Sequence, residues 1–177
     1  ISEFLQAADI KVINQETILG GNELGFSGYP RFNSPTEIGD AIAAAGFNVV
    51  LHASNHSGDK GIEGLQSCAK FWETYPEVLM VGIHHDKVEE REIPLLTIDD
   101  VTFAILNYTY SANMAALPKE LWGHLDMLCN YDSKSGQMDY TTIHPGVLED
   151  IAKAQELADV VIVFPHWGNE YQTKPSK

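Results

Sequence analysis

Three short clusters in this chain bring together carboxylate, amide and imidazole groups: Asn14-Gln15-Glu16, Ser54-Asn55-His56-Ser57-Gly58-Asp59-Lys60-Gly61 and His166-Trp167-Gly168-Asn169-Glu170-Tyr171. A carboxylate can bridge hard or borderline cations, an amide oxygen adds a neutral ligand, and imidazole favours zinc, manganese or iron over calcium. Such a set suits metal-assisted hydrolysis of an oxygen-rich substrate better than it suits plain turns. Each cluster also follows directly on an apolar run, at residues 10–13, 47–51 and 160–164. In open α/β sheets, ligands gather beyond the carboxyl ends of parallel strands, so groups distant in sequence can converge there.

The elements that must position these groups alternate in type. Residues 10–16 read as a short strand with Glu16 at its C-terminal edge, followed by the Gly-rich Leu19-Gly20-Gly21-Asn22-Glu23. Ser34-Pro35-Thr36-Glu37 has the form of a capping box with proline at the first helical position, and Gly46 is a C-terminal stop, which predicts a helix of roughly three turns. Residues 47–53 form a second strand, 62–75 a helix ended by Pro76, and 78–83 a third strand. Strand-helix-strand units of this kind predict parallel pairing. The runs at 93–98 and 101–108 flank Asp99-Asp100, a tight reversal that makes the sheet mixed. Residues 109–143 carry Gly, Asn, Asp and Ser without a clean period and read as an excursion. At 147–158 the apolar positions 147, 148, 151, 154, 157 and 158 fit one helical face, leading into the apolar strand before His166. The fold class is α/β, with a mixed, partly parallel sheet flanked by helices.

Composition narrows the function classes. With 177 residues, 44 % hydrophobic and 20 % charged, the chain can bury one sizeable core. A formal net charge of −14 without a Lys/Arg cluster disfavours nucleic acid as a partner. The same field opposes an anionic ligand unless a bound cation reverses the potential within the pocket. No apolar run approaches the length of a membrane span, and no signal peptide marks the start. Cys68 and Cys129 lie among apolar neighbours and read as buried free thiols.

The ordered motifs resemble the poly-gamma-glutamate capsule synthesis (CapA-type) proteins, a family similar to the calcineurin-like metallophosphoesterases. That family's Asn-Leu-Glu strand end looks like Asn14-Gln15-Glu16, with Gln15 in an apolar position. Its Asn-Asn-His-x-x-Asp-x-Gly loop looks like residues 54–61, with Ser54 in place of the first Asn, and its His-Trp-Gly-x-Glu-Tyr strand end matches residues 166–171. The resemblance implies an α/β/β/α sandwich and a divalent transition metal, zinc, manganese or iron, held by Glu16, Asn55 and His166. It implies that His56 faces the substrate as an acid, that Asp59 orients it, and that Asn14 and Glu170 stand behind the ligands or against the substrate. The family's Gly-Asp element is expected before Ile1 and its Gly-His-x-x-His element after Lys177, so residues 1–177 are expected to be one partial domain.

Blander readings stand beside these. Asn55-His56 could be a turn after a strand, Glu16 a solvated strand-end carboxylate, His166 a packed histidine, and Asp59 and Glu170 caps. His84-His85 can offer at most one ring to a common ion, because adjacent strand residues point to opposite faces, and reads as a solvent-exposed loop. His52 reads as core; His124 and His144 lack supporting neighbours; Glu89-Glu90-Arg91-Glu92 reads as a solvated run; Trp167 and Tyr171 read as a packed aromatic wall rather than a ligand platform. The leading function is a metal-dependent phosphoesterase-like protein of capsule or cell-surface polymer synthesis, acting on an anionic polymer such as poly-gamma-glutamate or on a phosphoester. It is placed by the resemblance at the outer face of a bacterial membrane. Two alternatives remain: a non-catalytic accessory holding the polymer or a membrane synthase subunit, and a small-molecule hydrolase unrelated to capsules.

Overall fold

Alternating apolar side chains divide the strands between two sheets packed face to face, in a computed structural model that describes residues 5–89 and 91–174. The first sheet is wholly parallel, in the order β1 (Val12–Asn14), β2 (Val49–Leu51), β3 (Leu79–Val81), with Val12, Val49 and Leu79 in register. The second holds β4 (Leu95–Ile98), β5 (Val101–Thr109) and β8 (Val160–His166) in that order. β4 and β5 are antiparallel, whereas β5 and β8 run parallel from the Phe103–Val160 pair to the Thr109–His166 pair. A separate ribbon joins β6 (Cys129–Tyr131) to β7 (Met138–Ile143).

The period-2 alternation of a strand explains the layering. Val49, Leu51 and Val81 point inward and pack with Phe103, Ile105, Ile162 and Phe164 of the other sheet. Val50, between two inward residues, points outward to Ile42 of α1 (Glu37–Ala44) and to Leu65, Cys68, Ala69 and Trp72 of α2 (Gly61–Trp72). Ala104, Leu106 and Tyr108 on the far face of the second sheet pack with Val147 and Ala154 of α3 (Pro145–Leu157). The result is an α/β/β/α sandwich. Val49 and Ile105, both wholly buried between the sheets, each contribute about 1.5–3 kcal/mol by leaving water.

Several expectations hold. The β4–β5 reversal sits at Asp99 and Asp100, whose φ values of 49° and 66° are the paired left-handed geometry of a tight hairpin. Gly46 follows α1 with φ 88°, and both cysteines are free, Cys68 buried as expected but Cys129 only half-buried. Others need correction. The capping box does not form: Thr36 is the N-cap without a side-chain hydrogen bond, and the Ser34 hydroxyl instead meets the Thr17 hydroxyl at 2.7 Å. Proline at the first helical position therefore does not occur in α1, whose eight residues make little more than two turns. α3 buries Val147, Asp150 and Ala154, while Leu148 and Leu157 lie exposed, because its inner stripe includes a carboxylate that has an ion-pair partner. The 109–143 excursion contains the β6–β7 ribbon.

Candidate functional site

The loop after β2 is a run of short turns tied to its surroundings through side chains. Ala53 N–H donates to Asn107 Oδ1 at 2.7 Å, and Asn107 Nδ2 donates to the Phe164 carbonyl at 2.9 Å, so one amide from β5 clamps the loop's start to β8. Gly82 makes room for it: at φ 98° a Cβ there would collide with Asn107 Oδ1 and Ala53 N. Ser54 Oγ donates to the Glu16 carbonyl at 2.8 Å and accepts from His56 N–H at 3.1 Å, joining the first and second clusters. Ser57 Oγ accepts from Ser54 N–H at 2.8 Å and also bonds the His52 carbonyl. Ser54, Asn55, Ser57 and Asp59 are all buried, and every buried side-chain polar atom among the described residues has a partner.

Within that frame His56 and Asp59 form a dyad. His56 Nδ1 stands 2.8 Å from Asp59 Oδ2, which also accepts from Phe32 N–H at 2.7 Å. The carboxylate therefore fixes the proton on Nδ1 and leaves Nε2 facing the cleft. The Phe32 ring meets the imidazole edge-on, with centroids 4.7 Å apart at 87°, and holds its plane. Asn113, at φ 54°, reaches both His56 Nε2 at 3.5 Å and Asn55 Nδ2 at 3.3 Å.

Across the cleft, His166 Nε2 lies 2.9 Å from Asn55 Oδ1, which joins the ends of β2 and β8 over more than a hundred residues of sequence. Burial, opposed by Glu16 and assisted by His56, lowers the His166 pKa from its usual value. The ring is thus held neutral, the form that ligates metals. Two donors each about 2.1 Å from one ion and at right angles lie about 3 Å apart, close to the Asn55–His166 separation. Glu16 borders the same cavity, so its carboxylate is of the type that would complete such a donor set. Among the described residues, however, no group of three or more His, Cys, Asp and Glu side chains is close enough to hold an ion, so the fit depends on the amide oxygen.

The cavity measures about 460 Å³, and Glu16, Asn55, His56, His166 and Glu170 all line it. All three sequence clusters therefore meet at one place. Asp59 lies behind His56 rather than on the wall. Asn14 is exposed at the end of β1 and opens instead onto a neighbouring cavity of about 210 Å³, which it shares with Asn107 and His166. Trp167 and Tyr171 also border the main cavity but are 64 % and 99 % exposed, which corrects the expected packed wall.

The other singled-out groups have structural partners. His52 is wholly buried and accepts from Trp72 Nε1–H at 2.7 Å; burial, opposed by a backbone bond with Gln15, lowers its pKa to about 3. His84 is not a free loop residue, since its Nε2 meets Asp126 Oδ1 at 2.9 Å, whereas His85 bonds its neighbour Asp86. Arg91 is not solvated: its guanidinium bridges Asp126 at 3.1 Å and Asp150 at 2.8 Å, and Tyr108 OH donates to Asp150 at 2.9 Å. Glu90 of the same run lies outside the described residues. His124 Nδ1 meets the His84 carbonyl, and His144 caps α3 by accepting from Gly146 N–H at 3.2 Å. Asn107, Asn113 and Phe32 escaped sequence reasoning. The only signal for Asn107 was a polar residue within an apolar strand.

Residues 1–177 match the family described as Bacterial capsule synthesis protein PGA_cap. The chain is similar to the Capsule biosynthesis protein CapA of Bacillus anthracis, 30 % identical over 142 residues, covering 77 % of this chain and 30 % of that protein. It is also similar to the uncharacterized proteins y4sH and y4uA of Sinorhizobium fredii, each 35 % identical over 103 residues, covering 54 % of this chain and 22 % of theirs. The chain thus spans less than a third of the length of these relatives.

Proposed function

The chain belongs to the bacterial capsule synthesis protein PGA_cap family, and from that membership we propose that it is a metal-dependent phosphoesterase-like component of capsule or cell-surface polymer synthesis, with poly-gamma-glutamate as the polymer. The observation that carries the reading is the meeting of the His56–Asp59 dyad with the Asn55–His166 pair and Glu16 at one cavity beyond the strand ends. Glu16, Asn55 and His166 would hold a zinc, manganese or iron ion. When bound, the metal would polarise the scissile group and lower the pKa of a water to about 7. His56, its Nδ1–H directed to Asp59, presents Nε2 to the substrate and as imidazolium delivers a proton to the leaving oxygen. Asn113 and Phe32 restrict the ring to that orientation. The tied loop keeps the dyad positioned before substrate arrives, which is where such sites gain most of their rate.

The intact protein, assayed for bound metal and for hydrolysis of generic phosphoesters, tests this. Metal-dependent turnover that falls by about 10²–10⁴-fold in His56→Ala is the expected result. Absence of a transition metal, together with unchanged cellular function in His56→Ala, would rule the reading out. In the accessory reading the domain holds the polymer or a synthase subunit without turnover. Metal-dependent turnover lost in His56→Ala retires it. The proposed place of action is the outer face of a bacterial membrane; no helix among the described residues is long and apolar enough to cross a membrane. Fractionation of cells expressing the intact protein checks that location.

A further inference from the structure

Asn113 enters the site from the turn that follows β5, and that turn is fixed from both ends. Thr109, the last residue of β5, lies opposite His166 in the ladder, and Tyr110 N–H donates to the His166 carbonyl at 3.0 Å. Thr109 Oγ1 then donates to the Ser111 carbonyl at 2.7 Å, and Ser111 Oγ accepts from Asn113 N–H at 2.9 Å. Ser111 and Ala112 are buried, while Asn113 is exposed at φ 54°, a left-handed geometry that asparagine tolerates better than most side chains. Its neighbours pack against the second cluster: a Cβ on Gly58 would meet Met114 Cε at 3.0 Å and Ala112 Cβ at 3.7 Å.

The amide that this turn delivers is oriented. Asn55 Nδ2 donates to Asn113 Oδ1 at 3.3 Å, which directs Asn113 Nδ2 toward His56 Nε2, 3.5 Å away. N–H donors reach their acceptors at about 2.7–3.2 Å, so the contact with His56 is a long one. An amide nitrogen carries two hydrogens, and His56 is the one partner of Asn113 Nδ2 among the described residues. In its acid form His56 presents Nε2–H, so both groups are then donors and cannot bond each other. Two donors 3.5 Å apart can both reach a single oxygen at about 2.7–3.1 Å from each, which is the geometry of an oxyanion hole.

We propose that Asn113 is a further catalytic residue, whose Nδ2–H donates to the leaving oxygen of the substrate and shares that oxygen with His56. As the phosphorus–oxygen bond breaks, its electron pair moves to the leaving oxygen, which takes the Nε2 proton of His56. The attacking water forms the new phosphorus–oxygen bond and releases its own proton to solvent. Asn113 keeps its protons and steadies the charge on the leaving oxygen until the transfer is complete. Its effect therefore grows with the charge that this oxygen develops. The assignment rests on the reading of this cleft as a phosphoester site.

Asn113→Gly deletes the amide without straining the left-handed turn. In the full-length protein it should lower kcat for phenyl phosphate, a poor leaving group, by about 10²–10³-fold at unchanged KM. For 4-nitrophenyl phosphate, whose leaving oxygen needs little help, the fall should stay below about tenfold. Asn113→Asp, which keeps the shape and loses the donor, should not restore the rate. Equal losses with the two esters, no loss, or rescue by Asn113→Asp overturns the proposal. Orthovanadate, whose five-coordinate form sets an oxygen where the leaving oxygen stands, gives a readout that needs no turnover. Calorimetry on the full-length protein should show its binding weakened by about 10–100-fold in Asn113→Gly. Weakened vanadate binding without turnover of either ester sinks the hydrolase reading and leaves Asn113 standing as an oxyanion donor. Vanadate binding that is unchanged in Asn113→Gly, or absent in the parent, overturns the proposal whatever the turnover.

Discussion

At the scale of single residues, burial decides which histidines can do chemistry. His56 and His166 each leave a ring edge toward the cleft, whereas His52 is wholly buried and uses Nε2 to accept the Trp72 indole N–H. Protonating His52 would forfeit that bond and charge the core. Its folded pKa of about 3 lies below the unfolded value of about 6.5. The unfolded chain therefore takes up the proton first, and stability is complete above about pH 6.5 and falls as pH drops toward 3. Between pH 7 and 5 this group alone should cost about 2 kcal/mol. His166 and His144, both lowered chiefly by burial, act in the same direction. Urea unfolding at the two pH values should show a shallower loss in His52→Gln than in the parent; an identical loss would remove His52 from the account.

At the scale of elements, the clamp between β2, β5 and β8 holds the site together. Asn107→Ala should leave the Ala53 N–H and the Phe164 carbonyl without their partner, costing about 1–3 kcal/mol for each unsatisfied group. Gly82→Ala should disturb the same clamp from the other side, because its φ of 98° and the nearness of Asn107 and Ala53 admit no Cβ. Both are expected to lower the urea midpoint and to weaken any activity that needs Asn55 and His56 in place. Unchanged unfolding of Asn107→Ala would show that the amide is dispensable. Element type was readable from the sequence, since period-2 runs, Gly46 and Asp99-Asp100 all acted where local chemistry says they should. Element limits were less so: the Ser34 hydroxyl turned to Thr17, a partner that no local pattern specifies.

At the scale of the whole molecule, Arg91 ties the second sheet and α3 to the loop before β6. It bridges the buried Asp126 and Asp150, which in turn hold His84 and Tyr108. Arg91→Met should leave Asp126 with His84 alone and Asp150 with the Tyr108 hydroxyl alone, neither beside a fixed positive charge, and cost about 3–5 kcal/mol, read as a drop in thermal and urea midpoints. Arg91→Lys should recover part of it, because one ammonium cannot reproduce the two-sided fork. A near-neutral Arg91→Met would mean that water satisfies the two carboxylates.

How much of this protein its sequence determined follows from the range of the interactions involved. The α/β class, the parallel first unit, the hairpin at Asp99-Asp100 and the three strand-end clusters all rest on neighbours a few residues apart, and so were legible. That Glu16, Asn55, His56, His166 and Glu170 border one cavity, and that Asn14 opens onto the next, was decided by the stacking of two sheets. Trp167 and Tyr171 came to be exposed, Leu148 and Leu157 left the packed face of α3, and Arg91 was drawn between two aspartates for the same reason. Local spacing records which groups lie at a strand's end, but the Asn55–His166 and Ala53–Asn107 contacts join residues that only packing brings within hydrogen-bond reach.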